Sequence, residues 1–178
     1  GFCLVGSEMC IRDRVSGIGD VDGNGVPDLA VASPASSVFQ EDGELWILLL
    51  ESDGTVLGQV EIDENGLGGF GGTVGGDHFA SAIAGPGDVN DDGIPDVALR
   101  VGGYDGQFGP PPGPVEIWML FLDSDGTVKD QALVQSVSGD WIEYGESMCG
   151  IGDLDDNGVE DLALGTTAGP SGGDRGTL

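Results

Sequence analysis

The chain has few basic residues, and this scarcity narrows the partners it can bind. Five Lys and Arg residues oppose 32 Asp and Glu, giving a formal net charge of -27 over 178 residues. Nucleic acids and anionic membrane surfaces are recognised by basic patches, so we expect neither as a partner. No apolar run exceeds six residues, which is too short for a membrane span, so we expect no membrane insertion of this segment.

Histidine and cysteine are also too scarce to build common catalytic centres. His78 is the single histidine, and Cys149 is the only cysteine beyond residue 14. A Ser-His-Asp triad or a zinc site needs a richer set of residues, so we expect no enzymatic activity and no catalytic residues in this chain. Cys149 lies in a predicted strand, where we expect a small buried residue rather than a nucleophile.

The first residues differ from the rest of the chain. Residues 4–14 are similar to a translated sequencing adapter, so we interpret residues 1–14 as non-native and leave them out of the fold prediction. The alternative is a genuine N-terminal segment. Without residues 1–14, Arg100, Lys129 and Arg175 are the remaining basic residues.

The rest of the chain consists of internal repeats. The whole sequence is rich in glycine, with 35 glycines in 178 residues. Three acidic segments match one another: residues 20–28 (loop 1), 88–96 (loop 2) and 153–161 (loop 3). Their first aspartates are 68 and then 65 residues apart, and the apolar stretches around Trp46 and Trp118 are 72 apart. A period of this size is typical of solenoids, propellers and arrays.

Each repeat contains four short apolar segments separated by turn residues. In the complete repeat we predict strands at 79–85, 96–101, 115–122 and 127–134. The third is continuously apolar, which indicates that both of its faces are covered, as in the stacked sheets of a β-propeller. We therefore predict an all-β propeller with four-stranded antiparallel blades, present as an incomplete arc of about two and a half blades. The predicted units are 15–78 (first strand truncated), 79–143 (complete) and 144–178 (truncated in the third strand).

The acidic loops have the spacing of a calcium site. Oxygen-bearing side chains fall at loop positions 1, 3, 5 and 9, and glycine at position 6 permits a turn that brings in the position-7 carbonyl. Oxygen ligands without histidine or cysteine favour Ca²⁺ over zinc or copper. We predict three Ca²⁺ sites. Their ligands are Asp20, Asp22, Asn24, Val26 and Asp28 in loop 1; Asp88, Asn90, Asp92, Ile94 and Asp96 in loop 2; and Asp153, Asp155, Asn157, Val159 and Asp161 in loop 3.

Position 12 separates these loops from EF-hand and dockerin loops, which place an acidic ligand there. The residues at position 12 are Val31, Leu99 and Leu164, all in predicted strands. A metal-free Asp/Asn/Gly turn joining two strands is the alternative. The threefold recurrence of the same four ligand positions favours Ca²⁺.

The segment from Phe79 through Ala84-Gly85-Pro86-Gly87-Asp88 into loop 2 resembles the FG-GAP repeat. This repeat builds the head of integrin α subunits and occurs in related bacterial secreted and surface proteins. The resemblance implies a propeller, typically of seven blades, with Ca²⁺ in the loop between strands one and two. Ala80 stands where the motif has glycine, and Tyr144 replaces the aromatic Phe in the third repeat.

These features predict a calcium-binding, integrin-α-like propeller segment of an extracellular protein, secreted or at the cell surface, that serves adhesion or recognition. An accessory propeller of a secreted enzyme and a structural spacer are the alternatives. We expect the connection at residues 102–113 to lie on the propeller face opposite the calcium loops. Its Tyr104 and Phe108 are candidates for contact with a protein or glycan partner.

Overall fold

The computed structural model describes residues 14–34, 43–63, 79–102, 114–137 and 143–167, and these contain strands joined by turns. No helix within these ranges is long and apolar enough to cross a bilayer. The strands are β1 (Arg14–Gly19), β2 (Asp28–Ser33), β3 (Glu44–Leu50), β4 (Val56–Asp63), β5 (Ala82–Gly87), β6 (Asp96–Val101), β7 (Val115–Leu122), β8 (Val128–Val137), β9 (Glu143–Gly152) and β10 (Asp161–Thr167).

The strands form three antiparallel sheets in chain order. The first sheet is β1-β2-β3-β4, the second is β5-β6-β7-β8, and the third is the pair β9-β10. Within each sheet, every strand is hydrogen-bonded to the next strand in sequence, which is the meander of a propeller blade. The prediction of an all-β, incomplete propeller is confirmed.

Strand boundaries agree with the sequence where apolar runs end in turns. The predicted segments 96–101 and 115–122 match β6 and β7. The prediction of a strand from residue 79 was wrong, because β5 begins at Ala82. Phe79 and Ala80 lie in a turn that is fully buried, and Ala80 has a φ of 53°. The last strand of this sheet also runs further than predicted, to Val137.

The main core lies between the first and second sheets. On the first sheet, Leu45 and Ile47 of β3 are fully buried, and they belong to one apolar cluster with Leu99 and Leu120 of the second sheet. A smaller cluster, centred on Met119 of β7, lies between the second and third sheets. The continuously apolar β7 therefore has apolar neighbours on both faces, as its sequence predicted.

Equivalent residues of the first two repeats lie in different surroundings. On the first sheet they form the outer face, whereas on the second sheet the same positions face the first sheet and are covered by it. The counterparts are buried or packed against the main core, whereas the outer-face residues are half-buried or exposed, up to 65% exposed at Val15. The difference therefore comes from what covers each face, not from its residue types. The outer-face residues are Val15, Leu29, Val31, Trp46 and Leu48, and their counterparts are Ile83, Val97, Leu99, Trp118 and Leu120.

The first strands of the three sheets pack side by side, β1 against β5 and β5 against β9. Glycine makes this close approach possible. A Cβ added to Gly85 would lie 2.5 Å from the carbonyl oxygen of Gly17, and one added to Gly150 would lie 2.8 Å from that of Gly85. These glycines occupy the same place in each repeat, three residues before the first aspartate of the loop. The three loops therefore extend from adjacent strands at one end of the stacked sheets.

The expectation for Cys149 was wrong in one respect. It lies in β9 as predicted, but its side chain is exposed. It pairs with Ala163 on the face of the third sheet that corresponds to the buried Ala84 and Ala98 of the second. The third sheet covers this face of the second sheet. Among the described residues, no further sheet covers the same face of the third sheet, so Cys149 is exposed.

Candidate metal centre

Each acidic loop joins the first and second strands of its sheet. It begins with an aspartate whose carboxylate accepts hydrogen bonds from backbone N–H groups further along the loop. Asp20 accepts hydrogen bonds from the N–H groups of Asn24 at 3.0 Å and Gly25 at 2.8 Å. Asp88 and Asp153 accept the equivalent pairs in loops 2 and 3. These bonds curl the chain around the position-1 carboxylate, and glycine at position 6, with φ near 88–89°, makes the turn possible.

The left-handed position 4 shows the same geometry with different residues. Gly23 occupies it in loop 1 with a φ of 75°, and Asp91 and Asp156 occupy it with φ of 61° and 58°. Aspartate tolerates this conformation better than most residues. Both aspartates are exposed, as expected for residues outside the ligand positions.

The position-9 aspartate begins the second strand and ties three parts of the sheet together. Asp28 is fully buried, and its two oxygens accept N–H bonds from Val21 in loop 1 and Leu50 at the end of β3, both at 2.8 Å. In the second sheet Asp96 does the same for Val89 and Leu122, at 2.9 and 3.3 Å. The position-9 aspartate was predicted only as a metal ligand. The structure adds a role in joining the loop to strand three.

Burial is the main influence on the acidity of Asp96. It raises the pKa of this carboxyl above 3.8, and the negative charge of Asp88 acts in the same direction. The N–H bonds from Val89 and Leu122 oppose the rise, because they favour the charged form. Protons therefore compete with a cation at Asp96 more strongly than at an ordinary aspartate.

The carboxylates of loops 1 and 3 converge. One oxygen from each of Asp20, Asp22 and Asp28 lies within 4.8 Å of the others. Asp153, Asp155 and Asp161 form the same arrangement. Ca²⁺ binds oxygens at about 2.3–2.6 Å, so ligands on opposite sides of the ion are about 5 Å apart. The spacing of the oxygens in the two clusters is therefore compatible with the size of a Ca²⁺ ion.

Loop 2 differs from the other two. It has Asn90 at position 3 and Asp92 at position 5, the reverse of loops 1 and 3. Its carboxylates form no cluster of the 4.8 Å kind. Instead, Lys129 of β8 forms an ion pair with Asp92. Lys129 was not predicted to contact the loop, although it is one of three basic residues beyond residue 14.

The other sequence-predicted sites are placed as follows. The position-7 residues Val26, Ile94 and Val159 lie in the loops, and each N–H donates to the side chain at position 5. Residues 103–113, including Tyr104 and Phe108, lie outside the described residues, as does His78.

Comparison with known proteins agrees with this architecture. Residues 14–48 match the model of the FG-GAP repeat. The chain is 25% identical over 151 residues to integrin alpha-4 of Xenopus laevis, which covers 82% of this chain and 13% of that protein. It is 29% identical over 153 residues to integrin alpha-IIb of Mus musculus and of Homo sapiens, again 82% of this chain and 14% of each relative. The chain thus spans about one seventh of the length of these relatives.

Proposed function

We propose that the chain is an FG-GAP, integrin-α-like propeller segment that binds Ca²⁺ through its acidic loops and serves adhesion or recognition in a secreted or cell-surface protein. The match of residues 14–48 to the FG-GAP repeat and the likeness to integrin α chains support this proposal. The observation that carries the calcium proposal is the convergence of three carboxylates within 4.8 Å in loops 1 and 3. Loop 2 provides a third site with the same number of carboxylates, in Asp88, Asp92 and Asp96.

The chemistry of the loops favours Ca²⁺ over Mg²⁺. Each predicted ligand set carries a formal charge of about -3 and has oxygen donors only, from carboxylates, an amide and a backbone carbonyl. Mg²⁺ requires a smaller, near-octahedral shell and retains water, whereas Ca²⁺ accepts the larger and less regular cage of a loop. Modest affinity is sufficient in an extracellular setting, where Ca²⁺ sites work at about 10⁻⁴–10⁻³ M.

The ion supplies positive charge to carboxylates that otherwise repel one another. The protein's part is to hold them together. The position-1 aspartate is fixed by the N–H groups of positions 5 and 6, and the position-9 aspartate is fixed by strand three. Because Asp28 also ties loop 1 to the end of β3, binding at the loop stabilises the whole sheet. A ligand at 100 times its Kd adds about 2.7 kcal/mol of stability.

Calorimetric titration with Ca²⁺ tests the proposal. We expect binding at millimolar or lower concentrations, and weaker binding of Mg²⁺. Asp20→Ala removes a ligand and the acceptor for two N–H groups, so it should abolish the loop 1 site. Loops 2 and 3 should stay largely intact, because the predicted ligands of each site all lie within its own loop. Glu61→Ala, which removes an exposed acidic group from β4, is the matched control. Equal binding by both variants, or no binding by the wild type, contradicts the proposal.

We propose that a partner binds to the connection at residues 102–113. β6 begins at loop 2 and ends at Val101, so this connection leaves the sheet at the end opposite the calcium loop. Tyr104 and Phe108 are candidate contacts with a protein or glycan. We expect Tyr104→Ala combined with Phe108→Ala to reduce capture on glycan and matrix-protein arrays without changing Ca²⁺ uptake. Unchanged capture means that the loop is only a connector.

A further inference from the structure

Compared with loop 1, loop 2 has Asn and Asp exchanged between positions 3 and 5, and it therefore lacks a hydrogen bond that loop 1 makes. In loop 1, the position-5 side chain is Asn24, whose Nδ2 donates to the carbonyl oxygen of Leu50 at 2.9 Å. This bond fastens the loop to the end of strand three. The position-5 residue of loop 2 is Asp92, and an ionised carboxylate has no hydrogen to donate. The corresponding bond to the end of β7 cannot form.

Lys129 replaces that contact. It is the second residue of β8, and its Nζ forms an ion pair with the Oδ2 of Asp92. The two side chains are 28% and 29% exposed, so the pair lies at the protein surface and is partly open to solvent. With the 72-residue offset of the two tryptophans, its counterpart in the first sheet is Leu57, which is uncharged and exposed. The change from Asn to Asp at position 5 and the change from Leu to Lys on strand four therefore occur together in the same repeat.

We infer that Lys129 is a built-in cation of loop 2, which balances part of the loop's charge before Ca²⁺ binds and competes with Ca²⁺ for Asp92. This inference rests on the proposed calcium function. The three carboxylates of loop 2 give a formal charge of -3, and the lysine reduces it to -2. A cation beside the site also repels the incoming ion. Loop 2 therefore fills after loops 1 and 3, and it depends least on Ca²⁺ for its order.

The structure provides a separate reporter for each loop. The position-6 glycine N–H donates to the position-1 aspartate, at 2.8 Å for Gly25, 2.6 Å for Gly93 and 2.7 Å for Gly158. The amide NMR signals of these glycines will follow Ca²⁺ binding at their own aspartate. In a titration of the 178-residue chain with calcium chloride, we expect Gly25 and Gly158 to shift first. Gly93 should reach its midpoint at a Ca²⁺ concentration about fivefold higher, the upper end of the effect expected from an ion pair at the protein surface.

Two variants of Lys129 isolate the charge. Lys129→Gln removes it, and we expect the Gly93 midpoint to fall about fivefold while those of Gly25 and Gly158 stay unchanged. Lys129→Arg keeps the charge and should keep the separation between loops. If Gly93 titrates together with the other glycines in the wild type, or if Lys129→Gln leaves its midpoint unchanged, the inference is wrong.

Transfer of the pair to loop 1 tests the inference without altering loop 2. The triple variant Asp22→Asn, Asn24→Asp and Leu57→Lys gives loop 1 the charge pattern of loop 2. We expect the Gly25 midpoint to rise about fivefold, and an unchanged midpoint overturns the inference. Failure of the calcium proposal itself has a different signature, since then none of the three glycines shifts in any of the proteins.

Discussion

The close approach of β1 and β5 makes Gly85 one of the least replaceable residues of the chain. A Cβ at Gly85 would lie 2.5 Å from the carbonyl oxygen of Gly17 and 2.6 Å from the Cα of Ile18. Both are backbone atoms, so no side-chain rotation can relieve the contact, and the two sheets must separate. Gly17 occupies the same place in its own repeat, but a Cβ there meets nothing within 4 Å. Gly85→Ala and Gly17→Ala are therefore the same substitution with and without a neighbouring sheet.

The expected difference follows from two opposing effects. Overpacking a tight contact costs about 1–3 kcal/mol, and contact with backbone favours the upper part of that range. Replacing glycine by alanine returns about 0.4–1 kcal/mol by reducing the freedom of the unfolded chain. We expect Gly85→Ala to lower the free energy of unfolding by about 2 kcal/mol, and Gly17→Ala to leave it unchanged or raise it slightly.

Thermal unfolding at fixed Ca²⁺ concentration measures this pair of variants. For a chain of this size, a loss of about 2 kcal/mol corresponds to a fall in Tm of about 4–8 °C. Circular dichroism should show that both variants keep their β structure at low temperature. If Gly85→Ala and Gly17→Ala shift Tm equally, β1 and β5 do not pack as described, and the stacked-sheet arrangement is refuted.

Three further outcomes follow from burial and hydrogen bonding. Leu120→Ala should cost about 2–5 kcal/mol in urea unfolding, whereas Leu48→Ala, on the half-buried counterpart, should cost clearly less, and equal losses would show that the outer face is covered. Asp28→Ala leaves two backbone N–H groups without their acceptor and should cost about 2–5 kcal/mol even without Ca²⁺, and a loss seen only with Ca²⁺ would contradict the structural role. In carboxyl NMR titrations Asp96 should titrate above 3.8, because burial raises its pKa, and Asp53 below it, because the Thr55 hydroxyl and N–H bonds lower its pKa. The raised pKa means that the folded state binds the proton of Asp96 more tightly than the unfolded state does. The contribution of Asp96 to stability is therefore greatest at low pH and is lost as pH rises from 3.8 through the folded pKa. A pKa of Asp96 below that of Asp53 would contradict this.

The sequence predicted those parts of the fold that depend on local pattern. Two strands were predicted with their observed bounds, because continuous apolar runs end at turn residues on both sides. The convergence of the carboxylates in loops 1 and 3 agrees with the spacing of Asp and Gly in the sequence, whereas loop 2 shows no such cluster. Phe79 was predicted to start a strand, but it is buried in a turn. Burial of a turn depends on the neighbouring sheet, which local pattern does not show.

Features that arise from contacts between distant segments could not be predicted in this way. The hold of Asp28 on Leu50 joins residues 22 apart, and the ion pair of Lys129 with Asp92 joins residues 37 apart. Each needs the register of the sheet to be known. Repeat alignment narrows the gap, because it identifies Lys129 as the counterpart of Leu57 and so marks the repeat in which loop 2 departs from loop 1.

Native mass spectrometry of the chain tests the calcium account most directly, because it counts bound ions. As Ca²⁺ is raised, the account predicts a species with two Ca²⁺ ions, for loops 1 and 3, and then one with three. The same concentrations of Mg²⁺ should leave most of the chain unloaded. Combined loss of loops 1 and 3, by Asp20→Ala with Asp153→Ala, should leave at most one ion. The calcium account would be contradicted if the wild type took up no Ca²⁺ specifically, or if it bound as much Mg²⁺ as Ca²⁺. It would also be contradicted if the double variant bound as many Ca²⁺ ions as the wild type.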